Sequence, residues 1–245
     1  MRLILKLRTY DNAKESKITK YTIQGMLYSN LISSKFENLH DLRGFKFFTF
    51  SDLFPSGNFV KNDYKNLIIS SPNTELINAW YDSFRSKKYL YLSNISFEII
   101  SVKKIDLEPK NEFETGSPIV LFENNKENRY FSFEKNKDLQ FFLERLKDNA
   151  LKKFNAFYNE EYYLGDALFD KLIFKKEVAI PNTINAHEKN NKENMSSVII
   201  GSVWSLLSKS YIENNDRKFY KFIMDCGLGE KNSLGFGFIN PKKKR

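Results

Sequence analysis

Polar and apolar residues alternate from residue 2 to residue 8, the two-residue period of a strand with one buried face. The period then lengthens. Ile23, Met26, Leu27 and Leu31 recur at helical spacing and predict a helix over 21–33, weakened at its end by Ser33 and Ser34. Strand patterns return at 46–54 and 64–70. Pro72 precedes a helix running to residue 86, with Asn73 as its N-cap. An alternating stretch over 94–107 completes the order strand–helix–strand–strand–helix–strand, the ferredoxin-like unit.

Residues 109–116 are polar, carry Pro109 and Gly116, and hold few apolar positions, which marks them as a linker. The predicted division is a domain over 1–110, a second over 116–241 and a basic tail at 242–245. In the second half, 118–122 and 129–133 flank a polar turn and predict a hairpin, followed by a long amphipathic helix over 136–158. Strands are expected at 172–180, 197–207, 220–226 and 236–240, with the Asn-, Lys- and Glu-rich residues 182–194 as a mobile loop. The second half is therefore also α+β. Strand count alone leaves open whether it repeats the first fold.

With 41% hydrophobic residues, 23 Phe and 13 Tyr in 245 positions, the chain can bury a sizeable core. Lys and Arg number 39 against 30 acids, and the net charge of +9 favours a polyanionic partner, nucleic acid before membrane. Lys242, Lys243, Lys244 and Arg245 supply four of those charges. The single cysteine, Cys226, excludes an intrachain disulfide and fits a reducing, cytoplasmic setting. His40 and His187 lie far apart and no Cys-x-x-Cys occurs, so neither metal nor cofactor is expected. No apolar run reaches transmembrane length, and residues 1–7 are too short for a signal peptide.

Four of the ten glycines, Gly227, Gly229, Gly235 and Gly237, fall within eleven positions as two Gly-x-Gly pairs around Glu230, Lys231, Asn232 and Ser233. A dinucleotide fingerprint would need glycine at Asn232, and a Walker A loop would need Lys-Ser/Thr after the last glycine. The expected ligand is therefore not a mononucleotide. Backbone N–H groups in such a loop can cradle phosphate oxygens, with charge from Lys231 and donors from Asn232 and Ser233. A tight turn joining two strands, with Leu234 and Phe236 packed inward, is compatible with that role.

Three segments carry a family resemblance: Gln24-Gly25-Met26-Leu27-Tyr28; Leu39-His40-Asp41-Leu42-Arg43-Gly44-Phe45-Lys46 continuing to Ser51; and the glycine loop. Ser117-Pro118-Ile119 matches a further recurring element. In this order, over residues 2–239, the chain resembles the CRISPR repeat-RNA endoribonucleases, the sixth Cas protein family. The loop alone would indicate only the wider repeat-associated RNA-binding superfamily. The resemblance implies two tandem ferredoxin-like (RNA-recognition-module-like) domains with a basic cleft between them. It implies metal-independent cleavage of CRISPR repeat RNA, single-stranded or stem-loop, leaving a 2′,3′-cyclic phosphate and a 5′-hydroxyl. By position Tyr28, His40 and Lys46 match the catalytic trio. CRISPR effector subunits and a second copy of the chain are the further partners it admits. The alternative is a non-catalytic RNA-binding subunit of an effector complex.

Attack by a 2′-hydroxyl needs a base, an acid for the departing 5′-oxygen and positive charge at the phosphorane. Imidazole can serve as either acid or base, and a lysine supplies charge. A tyrosine, with a reference pKa of about 10, suits orientation better than proton abstraction. In one unbroken helix Tyr28 and His40 would lie about 18 Å apart, too far to share a phosphate. A turn is required between them, at Ser33-Ser34 or Glu37-Asn38. His187, in a polar segment, is expected to be a surface residue.

Overall fold

The computed structural model describes residues 1–124, 126–127, 129–181 and 198–242. The loop expected at 182–194, His187 and residues 243–245 lie outside the described residues.

The first half contains β1 (Arg2–Thr9), α1 (Lys20–Ser29), β2 (Thr49–Phe50), β3 (Tyr64–Ser70), α2 (Thr74–Arg85), β4 (Tyr89–Leu92) and β5 (Ile95–Ile105). The sheet order is β2-β3-β1-β5-β4 and neighbouring strands run antiparallel. This is the ferredoxin-like arrangement with one added edge strand, β4, which the sequence pattern does not reveal. Leu3, Leu5 and Leu7 point inward from β1 and are fully buried with Trp80, Phe84 and Phe97. The indole of Trp80 donates to Leu27 O at 2.8 Å, tying α2 to α1. Asn73 caps α2 as expected, accepting from Glu75 N and Leu76 N.

Two expected elements are shorter than their patterns. The first helix stops at Ser29, where Asn30 turns its amide back onto Met26 O at 2.8 Å and Ser33 takes φ +67°. The strand expected at 46–54 is reduced to Thr49–Phe50, because Phe47 adopts φ +53° and cannot continue an extended path.

The second half contains β6 (Glu112–Thr115), a β7–β8 hairpin (Phe122–Asn124 and Arg129–Tyr130), α3 (Leu139–Tyr158), β9 (Lys171–Pro181), β10 (Val198–Ser208), α4 (Arg217–Cys226) and β11 (Ile239–Pro241). Its main sheet has the order β11-β6-β10-β9. Reading β6-α3-β9-β10-α4-β11 along the chain gives the ferredoxin-like connectivity a second time.

That repeat corrects two expectations. Residues 220–226 are helical: Phe219, Tyr220, Phe222, Ile223, Met224 and Cys226 are buried while Arg217, Lys218 and Lys221 lie on the outer stripe, and a window opened at Tyr220 leaves out the two charged residues that reveal the helical period. The expected linker at 109–116 contains β6, a central strand of the second sheet, between β10 and β11. Only Phe113 points inward from it, fully buried, so its apolar signal is one residue.

The halves are joined through buried contacts. Arg2, 1% exposed, donates to Ile239 O at 2.6 Å, Met224 O at 3.2 Å and Asn240 Oδ1 at 2.5 Å, and lies 4.7 Å from the Phe238 ring centre. The Phe47 ring meets Phe157 of α3 at 5.0 Å and Phe222 of α4 at 6.5 Å.

Candidate active site

Tyr28 sits on the last turn of α1, and His40 ends a single 3-10 turn, Glu37–His40. The left-handed Ser33 lies in the turn between them, one of the two places where the sequence permitted a reversal. The rings consequently meet edge to face with centres 5.1 Å apart and planes at 88°. Lys46 Nζ lies 5.3 Å from the centre of the Tyr28 ring and donates to His40 O at 2.6 Å. All three expected residues therefore come together on one edge of the first domain.

Each is placed for a different task. The His40 side chain is 68% exposed, and its Nδ1 is 2.9 Å from Asp41 Oδ1. A carboxylate accepts only from Nδ1–H, so in the neutral tautomer that makes this bond the lone pair is on Nε2. Tyr28 Oη is buried and makes no hydrogen bond. Burial raises the phenol pKa; Ser233 is close enough to oppose that rise, without reaching hydrogen-bond geometry. Tyr28 is thus kept protonated, which suits a hydrogen-bond donor and not a base. Burial lowers the Lys46 pKa and Asp41 opposes the change.

The glycine loop follows α4 and leads into β11, so it joins a helix to a strand rather than two strands. All four glycines take positive φ, from +68° to +90°. Close approach explains two of them best. A Cβ on Gly237 would lie 1.8 Å from Leu228 O, and one on Gly235 would lie 2.3 Å from the Phe50 ring. Leu234 and Phe236 pack inward, 6% and 1% exposed.

The loop also touches the first domain. Gln24 donates to Ser233 O at 2.8 Å, Lys20 to Gly235 O at 2.9 Å and Thr49 to Phe236 O at 3.0 Å. Its tip is thereby held next to Tyr28.

Inside the loop stands Lys153 of α3, 2% exposed. Its ammonium donates to Gly227 O at 2.7 Å, Gly229 O at 2.9 Å and Asn232 Oδ1 at 2.8 Å. Burial lowers its pKa, opposed by Cys226 and Glu230. Asn232 in turn donates to Leu228 O at 3.0 Å and Phe236 O at 3.1 Å. Both amide protons of Asn232 are committed, so its side chain braces the loop instead of offering a donor to RNA.

The glycine N–H groups divide in the same way. Gly227 donates to Ile223 O, Gly235 to Asn232 O and Gly237 to Pro118 O, at 2.7–2.9 Å. These three glycines shape the loop from within and offer no N–H to a ligand. The N–H groups of Gly229, Lys231, Asn232 and Ser233 have no partner among the described residues. They belong to the rim of a cavity of about 290 Å³ lined also by Gly44, Phe45, Lys46, Phe47, Lys153 and Cys226. The cavity brings Lys46 of the first domain to the loop tip of the second. Lys231 Nζ lies 5.7 Å and 5.8 Å from the ring centres of Phe122 and Tyr130. Burial lowers its pKa against Glu230.

Sequence reasoning missed Lys153. Lys153 lies on the stripe Phe142, Leu146, Asn149, Ala150, Phe154 that α3 turns to the core, a placement that could have marked it as an interior lysine.

The chain matches the family model described as CRISPR associated protein Cas6, C-terminal, over residues 100–241. It is 46% identical over 244 residues to the CRISPR-associated endoribonuclease Cas6 2 of Methanocaldococcus jannaschii, covering 99% of this chain and 100% of that one. A solved structure of CRISPR associated protein Cas6 superimposes with a TM-score of 0.68 at 26% identity, covering 99% of each chain. A Cas6-related protein from Pyrococcus furiosus gives a TM-score of 0.71 at 20% identity, covering 100% of this chain and 99% of that one; it shares the fold.

Proposed function

The chain belongs to the Cas6 family of CRISPR-associated endoribonucleases, and from that premise we propose that it cuts CRISPR repeat RNA through the RNA's own 2′-hydroxyl. The observation that carries the reading is the convergence of His40, Tyr28 and Lys46, beside a loop tip with free N–H groups.

The neutral His40 ring accepts the 2′-hydroxyl proton at Nε2 while O2′ attacks phosphorus. The P–O5′ bond breaks and the protonated ring returns its proton to O5′. The products carry a 2′,3′-cyclic phosphate and a 5′-hydroxyl. Lys46 offsets charge on the non-bridging oxygens, and the Tyr28 hydroxyl, buried and without a partner in the free protein, donates to the substrate once RNA binding uncovers it. Gly229, Lys231 and Ser233, with the Asn232 N–H, hold the adjoining RNA backbone. These side chains supply every proton and charge the step requires, so the reaction proceeds without a metal ion.

The same reading takes in two tandem domains, the second opening with β6, assembly with other CRISPR complex subunits and a homodimer. It also takes in a cytoplasmic setting, which suits the free, buried Cys226 thiol, pushed up to about 11 by burial. The test is cleavage of the repeat of the neighbouring CRISPR array in excess EDTA, followed by end-group analysis. Cyclic phosphate ends with undiminished rate are expected. A strict metal requirement, or 5′-phosphate ends, would overturn the mechanism.

A further inference from the structure

The trio and the loop tip account for phosphate, ribose and proton, and leave the bases on either side of the cut without a contact. One residue of the same cavity is suited to them. Phe45 is 39% exposed and lines the cavity together with Lys46, Lys231 and Ser233. A single exposed phenylalanine is ordinary, and its exposure alone would mean nothing.

The backbone on either side of Phe45 is not ordinary. Gly44 takes φ +94° and Phe47 takes φ +53°, a conformation that a bulky aromatic residue rarely adopts. The left-handed turn at Phe47 is held by its ring contacts with Phe157 and Phe222 and by Ser71 Oγ, which donates to Phe47 O at 2.7 Å. Four aromatics stand close together here, and three of them fill protein space. Among the described residues the one ring beside Phe45 is Phe47, at 5.9 Å, and Phe45 also lines the cavity. Sparse φ/ψ values gather at sites whose surroundings hold them for function. The bend at residues 44–47 interrupts a strand pattern and sets an aromatic ring beside a lysine facing the phosphate.

We propose that Phe45 is the stacking platform for a nucleobase flanking the scissile phosphate, a contact that rests on the cleavage reading above. A phenyl ring has no hydrogen-bonding group, so the platform accepts any base and favours those that stack strongly, purines over pyrimidines.

The test compares wild type, Phe45→Leu and Phe45→Trp on three RNAs in single-turnover cleavage. One RNA is the intact repeat, with its cut mapped on wild-type products. The others carry an abasic site immediately 5′ or immediately 3′ of the cut. Leucine keeps apolar volume without a stacking face. On the intact repeat Phe45→Leu should raise the half-saturating protein concentration roughly five- to 150-fold, the range expected for losing one base–aromatic stack. Phe45→Trp should stay near wild type, and thermal midpoints should agree. On one of the two abasic RNAs the Leu penalty should vanish. No penalty on the intact repeat, or the same penalty on all three RNAs, would overturn the platform while leaving cleavage intact. Failure of wild type to cut the intact repeat would remove the cleavage reading and the platform together.

Discussion

Replacing Lys153 by methionine keeps a stem of similar length and deletes the charge at the centre of the glycine loop. Three buried acceptors then lose their donor: Gly227 O, Gly229 O and Asn232 Oδ1. An unsatisfied interior acceptor costs about 1–3 kcal/mol, so the gross loss is of order 3–9 kcal/mol. Against it stands the desolvation of a buried ammonium, itself several kcal/mol, which the substitution relieves. The net is a loss of about 3 kcal/mol, which lowers the midpoint of a chain this size by roughly 6–12 °C.

The pH dependence has a definite sign. Burial lowers the Lys153 pKa in the folded state, so the unfolded chain binds more protons between that lowered value and the ordinary lysine range. The stability of wild type relative to Lys153→Met therefore rises with pH across that window. Calorimetry of both proteins from neutral to alkaline pH, with cleavage measured below both midpoints, is the assay. Cleavage should fall at least tenfold as the tip at Lys231 and Ser233 loses its brace. An unchanged midpoint with full cleavage would show that the buried ammonium does not organise the loop.

Gly237→Ala should destabilise by 3 kcal/mol or more on the order-of-magnitude scale for strained, clashing sites, whereas Gly25→Ala, in α1 with open space around it, should stabilise by about 0.5–1 kcal/mol; thermal melts distinguish the two. Lys231→Ala should weaken repeat binding and reduce the slope of log affinity against log salt by about 1, measured by filter binding across a salt series. Tyr28→Phe should slow cleavage at saturating RNA by about tenfold with little change in affinity, the loss of one transition-state hydrogen bond; an unchanged rate would make the hydroxyl a bystander.

The first domain was readable because its elements keep clean periods: alternation in β1 puts Leu3, Leu5 and Leu7 on one face, and Pro72-Asn73 announces α2. The second was harder for physical reasons. Helix α4 carries its outer charges at Arg217, Lys218 and Lys221, so a window opened at Tyr220 misses most of its helical period and reads as a strand. Strand β6 is central but four residues long, and only Phe113 betrays it. The trio was nominated by resemblance, with spacing showing only that a turn was needed; the contact between Tyr28 and His40 depends on the left-handed Ser33. The glycine loop was recognisable, yet its division of labour was not. Pro118, distant in the chain, and Ile223, one helical turn before Gly227, take inward N–H groups, while the distant Lys153 holds the inward carbonyls.

The central claim is that His40 moves the proton that frees the 5′-oxygen. Single-turnover cleavage of the cognate repeat by His40→Ala, at protein concentrations that saturate binding, tests it most directly. Loss of a general acid–base group predicts a rate lower by roughly 10²–10⁴-fold with RNA affinity preserved. Cleavage at the wild-type rate would contradict the account.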